Sequence, residues 1–242
     1  MKVAQKIRGR IDQLPEGEVF DYGYFDLSAE EFWAGAKALE RLTKAGVIKR
    51  LEKGLFYKPG KSIFGELGPE DQSIIRRFLY REGKPVAYPS GFGLYNALNL
   101  TDQFSFIFHI ATTHPQKEKK LGNLKIRTMK AYAKVSTENV YMLGLLDALK
   151  DLKRIPGTST SVALKSMESR IAALSVSERW LMIQLALCYP PRVRALLGAI
   201  LEAQSEGTDK LVTLKKSLNP STIYHLGIHA KDLKTVINWN IQ

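Results

Sequence analysis

A chain of 242 residues, 45% apolar and 25% charged, has the make-up of a folded globular protein and excludes disordered or collagen-like classes. At about 150 residues per domain that length is one large domain or two modest ones. Thirty-six Lys and Arg against 24 Asp and Glu leave a net charge of +12, an excess that favours a polyanionic partner through field steering and release of phosphate counterions.

No stretch reaches the roughly 18 uninterrupted apolar residues of a membrane helix. The N-terminus turns basic again at Arg8 and Arg10 before any secretory apolar core forms. The single cysteine, Cys188, can make neither an internal disulfide nor a cysteine-based metal site, and a cytoplasmic protein is the simplest expectation. Residues 1–60 carry 11 basic and 9 acidic side chains and residues 61–242 carry 25 and 15, so most of the positive charge belongs to the larger part.

From the N-terminus, Val3, Ile7, Ile11 and Leu14 recur at helical spacing, and Pro15-Glu16-Gly17 ends that helix. Val19-Phe20 is a short apolar pair, followed by a brief helical signal over Tyr22 to Phe25. Ser28 with Glu31 three residues on forms a capping box. The helix it opens runs to about Ala45, with Phe32, Ala36, Leu39 and Leu42 as its buried stripe and Gly46 as the left-handed terminator. Two β-rich runs, Val47–Leu51 and Leu55–Lys58, flank Glu52-Lys53-Gly54 and predict a hairpin. Helix, strand, short helix, long helix and hairpin is the order of a winged helix-turn-helix. The candidate DNA-binding residues are Trp33, Lys37, Arg41 and Lys44 on the recognition helix and Lys49, Arg50 and Lys53 on the wing. Lys and Arg there can reach phosphates or grip guanine in the major groove.

Pro59-Gly60-Lys61-Ser62 reads as a linker, dividing a winged helix-turn-helix over residues 1–60 from a larger α+β domain over residues 61–242. In the larger part a helix is predicted over about 69–81 and another leading to Leu98. Phe104, Phe106, Phe108 and Ile110 alternate as a strand, Leu124, Ile126 and Thr128 as its partner, and the residues between form a polar loop. After about residue 137 the pattern is nearly all helical. Its stripes are Met142–Leu152, Leu164–Leu174, a capped helix from Ser175 and Glu178 that would bury Cys188, and a helix opened by Pro190-Pro191. The fold class expected is α+β, mostly helical, with a small β-sheet and a C-terminal helical bundle. A second basic surface is drawn from Lys117, Lys119, Lys120, Lys125, Arg127, Arg192 and Arg194.

No catalytic constellation stands out. A Walker-type loop and a dinucleotide fingerprint are both missing, and His225 and His229 fail the zincin pattern because Gly227 lies between them and no Glu follows His225. Neither an enzyme nor a bound cofactor or metal is expected.

The segments Ala38-Leu39-Glu40-Arg41-Leu42, Gly54-Leu55-Phe56-Tyr57-Lys58-Pro59, Pro89-Ser90-Gly91 and Ala97-Leu98-Asn99-Leu100-Thr101 resemble AbiEi-family antitoxins of bacterial type IV toxin–antitoxin systems. The run Tyr189-Pro190-Pro191-Arg192-Val193-Arg194-Ala195-Leu196-Leu197-Gly198-Ala199-Ile200 and Leu218-Asn219-Pro220 are similar to one branch of that family. The resemblance implies an N-terminal domain that binds double-stranded operator DNA and represses its own operon. It also implies a larger domain that counteracts a nucleotidyltransferase-type toxin, with direct contact left open. The alternative expectation is an RNA-directed binding protein that uses the basic larger domain, with the winged helix as a partner-contact module.

Overall fold

The computed structural model describes residues 3–114, 117–205 and 208–242. The chain is mixed α+β and separates into two compact units: residues 1–81 with 118–126, and residues 82–117 with 127–242. The first unit therefore extends past the linker expected at residues 59–62 and takes in the tip of a later hairpin.

In the first unit, helix α1 (Val3–Gln13) is followed by strand β1 (Val19–Asp21), a 3-10 turn at Tyr22–Phe25, helix α2 (Ala29–Lys44), and strands β2 (Lys49–Glu52) and β3 (Leu55–Tyr57). The three strands form one antiparallel sheet in the order β1-β3-β2. Helix α2 begins with the capping box of Ser28 and Glu31, each side chain accepting from the other residue's backbone N–H. Past its end Gly46 has φ +71°, the left-handed backbone that glycine adopts without a steric cost.

Ile7 and Ile11 of α1, Leu39 of α2, Ile48, and Phe20, Phe25 and Phe56 make the small core. Phe20 stacks on Phe56 at 6.0 Å between centroids and meets Phe25 edge-on at 5.7 Å. The buried face of α2 is Gly35, Ala38 and Leu39, one step round from the expected stripe. Phe32 is 42% exposed, because small residues at positions 35 and 38 let Leu27 and Ile7 come close: a Cβ on Gly35 would overlap the Leu27 side chain.

The expected linker is instead a hairpin of β4 (Gly60–Ser62) and β5 (Gly65–Leu67). Helix α3 (Asp71–Leu79) follows, and its Ser73 hydroxyl accepts the backbone N–H of Val19 at 2.8 Å, tying helix to sheet.

In chain order the two-residue strands β6 (Tyr80–Arg81) and β7 (Lys84–Pro85) come next, then β8 (Ala87–Ser90), α4 (Gly91–Ala97), β9 (Ile107–Thr112), β10 (Glu118–Leu121) and β11 (Leu124–Lys130). Strands β8 and β9 are antiparallel, pairing Ala87 with Thr112 and Ser90 with His109. Strand β9 begins three residues later than the alternation predicts, so Phe104 and Phe106 precede it and are almost wholly exposed. The polar loop expected before β11 contains β10.

The remainder of the second unit is a helical assembly of α5 (Val140–Asp151), α6 (Thr160–Ala172), α7 (Val176–Ala186), α8 (Pro191–Ala203) and α9 (Thr208–Lys216). Eight consecutive residues of α5, Met142–Leu149, are buried, as are Val193 and all of Ala195–Leu201 in α8. A helix buried on every side belongs in the middle of a core. Pro191 stands at the first turn of α8, where its missing N–H costs no helical bond. Helical continuity ends at Lys216: the chain beyond is irregular apart from a 3-10 turn, Lys234–Trp239, that packs on α8. Cys188 is exposed in the turn after α7 rather than buried.

Candidate nucleic-acid interface

Seating α2 on Gly35, Ala38 and Leu39 turns Trp33, Lys37, Glu40, Arg41 and Lys44 outward, all exposed. Trp33 is 75% exposed, an unusual position for so large an apolar ring. Its only ring neighbour among the described residues is Phe32, edge-on at 6.4 Å. Sixteen residues give the helix a length of roughly 24 Å at about 1.5 Å per residue, and the diameter of an α-helix, about 10–12 Å, is what a groove about 12 Å wide admits.

The cations on this face are partly engaged. Lys44 Nζ lies 2.8 Å from Glu40 Oε1. That hydrogen bond lowers the Glu40 carboxyl and raises the Lys44 ammonium from their ordinary values. Arg41 Nε donates to the Lys37 carbonyl at 3.3 Å, which props its guanidinium along the helix surface. Glu30, at the helix start, is exposed, while Glu31 is committed to the cap.

The hairpin β2–β3 carries Lys49 and Arg50 on β2 and Lys53 in the turn, all exposed. Lys49 pairs with Glu66 of β5, and the hydrogen bond raises the Lys49 ammonium. A bulge between Arg50 and Glu52 bends β2, and Arg50 Nε closes the bend by donating to the Glu52 carbonyl at 3.2 Å. The Glu52 carboxylate binds Lys119 Nζ at 2.8 and 2.9 Å.

Sequence reading did not single out Ile63 and Phe64 at the tip of the β4–β5 hairpin, which are 92% and 94% exposed. Their exposure follows from pairing that stops at Ser62 and Gly65, with the Ser62 hydroxyl accepting the Phe64 N–H at 3.2 Å.

The seven residues of the second basic surface are divided by the fold. Lys119, Lys120 and Lys125 belong to the segment grouped with the first unit, while Lys117, Arg127, Arg192 and Arg194 belong to the second. Lys120, Lys125, Lys117 and Arg127 are exposed, and alternation along β11 sets Lys125 and Arg127 opposite the buried Ile126. The two arginines of α8 part company: Arg192 is exposed, whereas Arg194 is half-buried and its Nη1 donates to the Ser217 carbonyl at 2.9 Å.

Inside the second unit lies a polar network invisible in sequence spacing. The Tyr88 hydroxyl donates to Asp147 Oδ2 at 2.9 Å, and Lys150 Nζ lies 2.9 Å from Asp147 Oδ1 and 3.6 Å from Asp151. The Asp147 side chain is 2% exposed. Burial raises its carboxyl, against the pull of Lys150 and Tyr88. Burial alone would lower Lys150, but the facing carboxylates outweigh it and hold the ammonium above its usual range. Tyr189 stacks on Tyr132 at 4.4 Å and its hydroxyl donates to the Leu143 carbonyl. Burial also pushes the Tyr88, Tyr95 and Tyr189 hydroxyls well up, so they remain protonated donors.

Among the described residues no cluster of three or more His, Cys, Asp or Glu side chains is placed to hold a metal ion. Nor is any described helix long and apolar enough to cross a membrane.

No protein-family model and no curated protein matches the chain. Among solved structures it is similar to the crystal structure of RV2827C protein from Mycobacterium tuberculosis, at 12% identity, covering 100% of this chain and 91% of that one with a TM-score of 0.39. A superposition that loose carries no argument about function, which rests on the side chains themselves.

Proposed function

We propose that the protein is a DNA-binding antitoxin that represses its own operon and counteracts a nucleotidyltransferase-type toxin, with the first unit acting as a winged helix-turn-helix. The observation that carries the DNA-binding part is the two-sidedness of α2. One side is seated on α1 through Gly35, Ala38 and Leu39, and the other presents Trp33, Lys37, Arg41 and Lys44 to solvent. An exposed helix bearing Lys and Arg is the element a major groove admits. Lys49, Arg50 and Lys53 on the neighbouring hairpin are suited to the adjacent phosphates. The toxin-directed part is supported by the sequence resemblance to AbiEi antitoxins.

Duplex DNA from the region upstream of the protein's own gene should quench tryptophan emission on binding, since Trp33 is the tryptophan on the docking face. Trp33→Phe should abolish most of that quench, leaving the emission of Trp180 and Trp239. A quench that persists in Trp33→Phe would place the duplex contact away from α2, and tighter binding of structured RNA than of duplex would replace this reading by the RNA-directed one. With toxin and protein both supplied from unregulated promoters, Lys37→Ala/Arg41→Ala/Lys44→Ala should still restore growth, because the two activities reside in different units.

A further inference from the structure

We infer that the cleft at the C-terminal end of α5 is a binding site for a nucleoside monophosphate group, either as a free nucleotide or as the phosphorylated end of a strand. The cleft lies wholly within the second unit and has a volume of about 610 Å3, in the range of small-ligand sites, about 300–1,000 Å3. Its walls combine two chemistries. Lys130, Lys150, Arg154 and Arg192 supply cations, and Phe92, Tyr95 and Tyr132 supply aromatic rings, against one lining carboxylate, Asp151.

The charges can be balanced pair by pair. Lys150 is held by Asp147 and Arg154 by Asp151, at 2.9 and 2.8 Å. Two further cations of the lining, Lys130 and Arg192, are exposed and exceed what those two carboxylates neutralise. A phosphate monoester carries about −1.5 to −2 at neutral pH, which matches that excess. Arg154 keeps N–H donors beyond its contact with Asp151, as its side chain is 70% exposed.

The wall is rigid where it matters. Lys150 has a side chain only 10% exposed and is anchored on two carboxylates. Tyr132 is clamped by its stack on Tyr189, with Lys130 and Lys150 ammonium groups 5.2 and 5.4 Å from its ring centroid. Phe92 is half-buried, tilted against Tyr95 at 6.4 Å, and offers a ring for a base to stack on. An inorganic anion would use the cations and leave the rings idle; an apolar ligand would leave the cations unsatisfied. A base joined to a phosphate uses both.

The inference stands apart from duplex recognition by the first unit, and one titration series separates them. Calorimetric titration of the full-length protein with each of the four nucleoside 5′-monophosphates should give one site for at least one of them. The matching nucleoside and inorganic phosphate should each bind at least tenfold more weakly. Lys130→Ala/Arg192→Ala, two exposed positions, should weaken the nucleotide tenfold or more with unchanged circular dichroism, and Phe92→Leu should weaken it while leaving phosphate unaffected. Lys37→Ala/Arg41→Ala/Lys44→Ala should bind the nucleotide as the wild type does. A 5′-phosphorylated single-stranded hexamer binding more tightly than the free nucleotide identifies a strand end as the source, and the reverse order identifies the free nucleotide. Absence of binding by all four nucleotides and the hexamer, equal binding of inorganic phosphate, or indifference to the Lys130/Arg192 double substitution would overturn the inference.

Discussion

On the outward face of α2 and the hairpin beside it, ion pairs such as Lys44 with Glu40 and Lys49 with Glu66 sit in solvent; in the second unit, Asp147 is buried beside Tyr88 and pairs with Lys150, whose side chain is only 10% exposed. Exposed pairs are screened and contribute about 0–1 kcal/mol, so the first unit can present many charges at little cost to its fold and release them readily to a polyanion. A buried pair has lost its hydration and cannot be half removed without leaving a bare charge inside. The same residue types are therefore left available at the surface of α2 and committed to architecture around Asp147.

The largest expected effect comes from uncoupling the buried pair. Lys150→Met leaves Asp147 without its cation, and loss of one partner of a buried pair costs about 3–5 kcal/mol, measurable by urea denaturation at neutral pH. The pH dependence has a definite sign. Burial sets the folded Asp147 carboxyl above its unfolded value. Its contribution to stability is thus fully present below the unfolded pKa of about 3.9 and is lost as pH rises through the folded one. In Lys150→Met that effect is no longer offset by the ammonium, so the deficit relative to wild type should shrink as pH falls from 7 towards 5. A deficit that grows on acidification would show that Asp147 is not the group left stranded. Asp147→Asn added to Lys150→Met should recover most of the loss.

A smaller effect is expected where helix α8 meets the terminal 3-10 turn. A methyl group on Gly198 would stand inside contact distance of the Trp239 ring, whose indole N–H is fixed by donating to Glu202 Oε2 at 2.5 Å. Gly198→Ala should cost about 1–3 kcal/mol, the usual range for overpacking. Gly9→Ala, where a Cβ meets nothing within 4 Å on the exposed side of α1, should be neutral or stabilising in the same assay.

Helix α2 shows how far the sequence could be read. Its caps are written in Ser28, Glu31 and Gly46, and its outward cations follow from the spacing of Lys37, Arg41 and Lys44. The phase of its buried face does not, because Gly35 and Ala38 contribute no apolar signal yet are what allow α1 to approach. Phe104 and Phe106 mislead in the opposite direction. They alternate as a strand should, but β9 pairs with β8 only from His109 to Thr112, and both rings stay outside the ladder. The buried polar network beside the cleft was hidden for a third reason. Asp147 and Lys150 are neighbours on one helix, but Tyr88 is 59 residues away and Tyr189 is 101 from Tyr88, so nothing local shows that the carboxylate is buried. Of the arginine pair at the start of α8, spacing cannot tell that Arg192 faces the cleft and Arg194 the Ser217 carbonyl.

The exposed charges of α2 should matter little to folding: Lys37→Ala/Arg41→Ala/Lys44→Ala changes surface positions, each within about half a kcal/mol. Their importance should emerge instead in the salt dependence of duplex binding. Each phosphate contact releases counterions and adds roughly 0.9 to the slope of log K against log salt concentration. Titrating an upstream duplex at several salt concentrations with the wild type and the triple variant should give lower affinity and a slope flatter by about one unit for each phosphate contact removed. Equal affinity and equal slope for the two proteins would contradict the assignment of α2 as the DNA-reading helix.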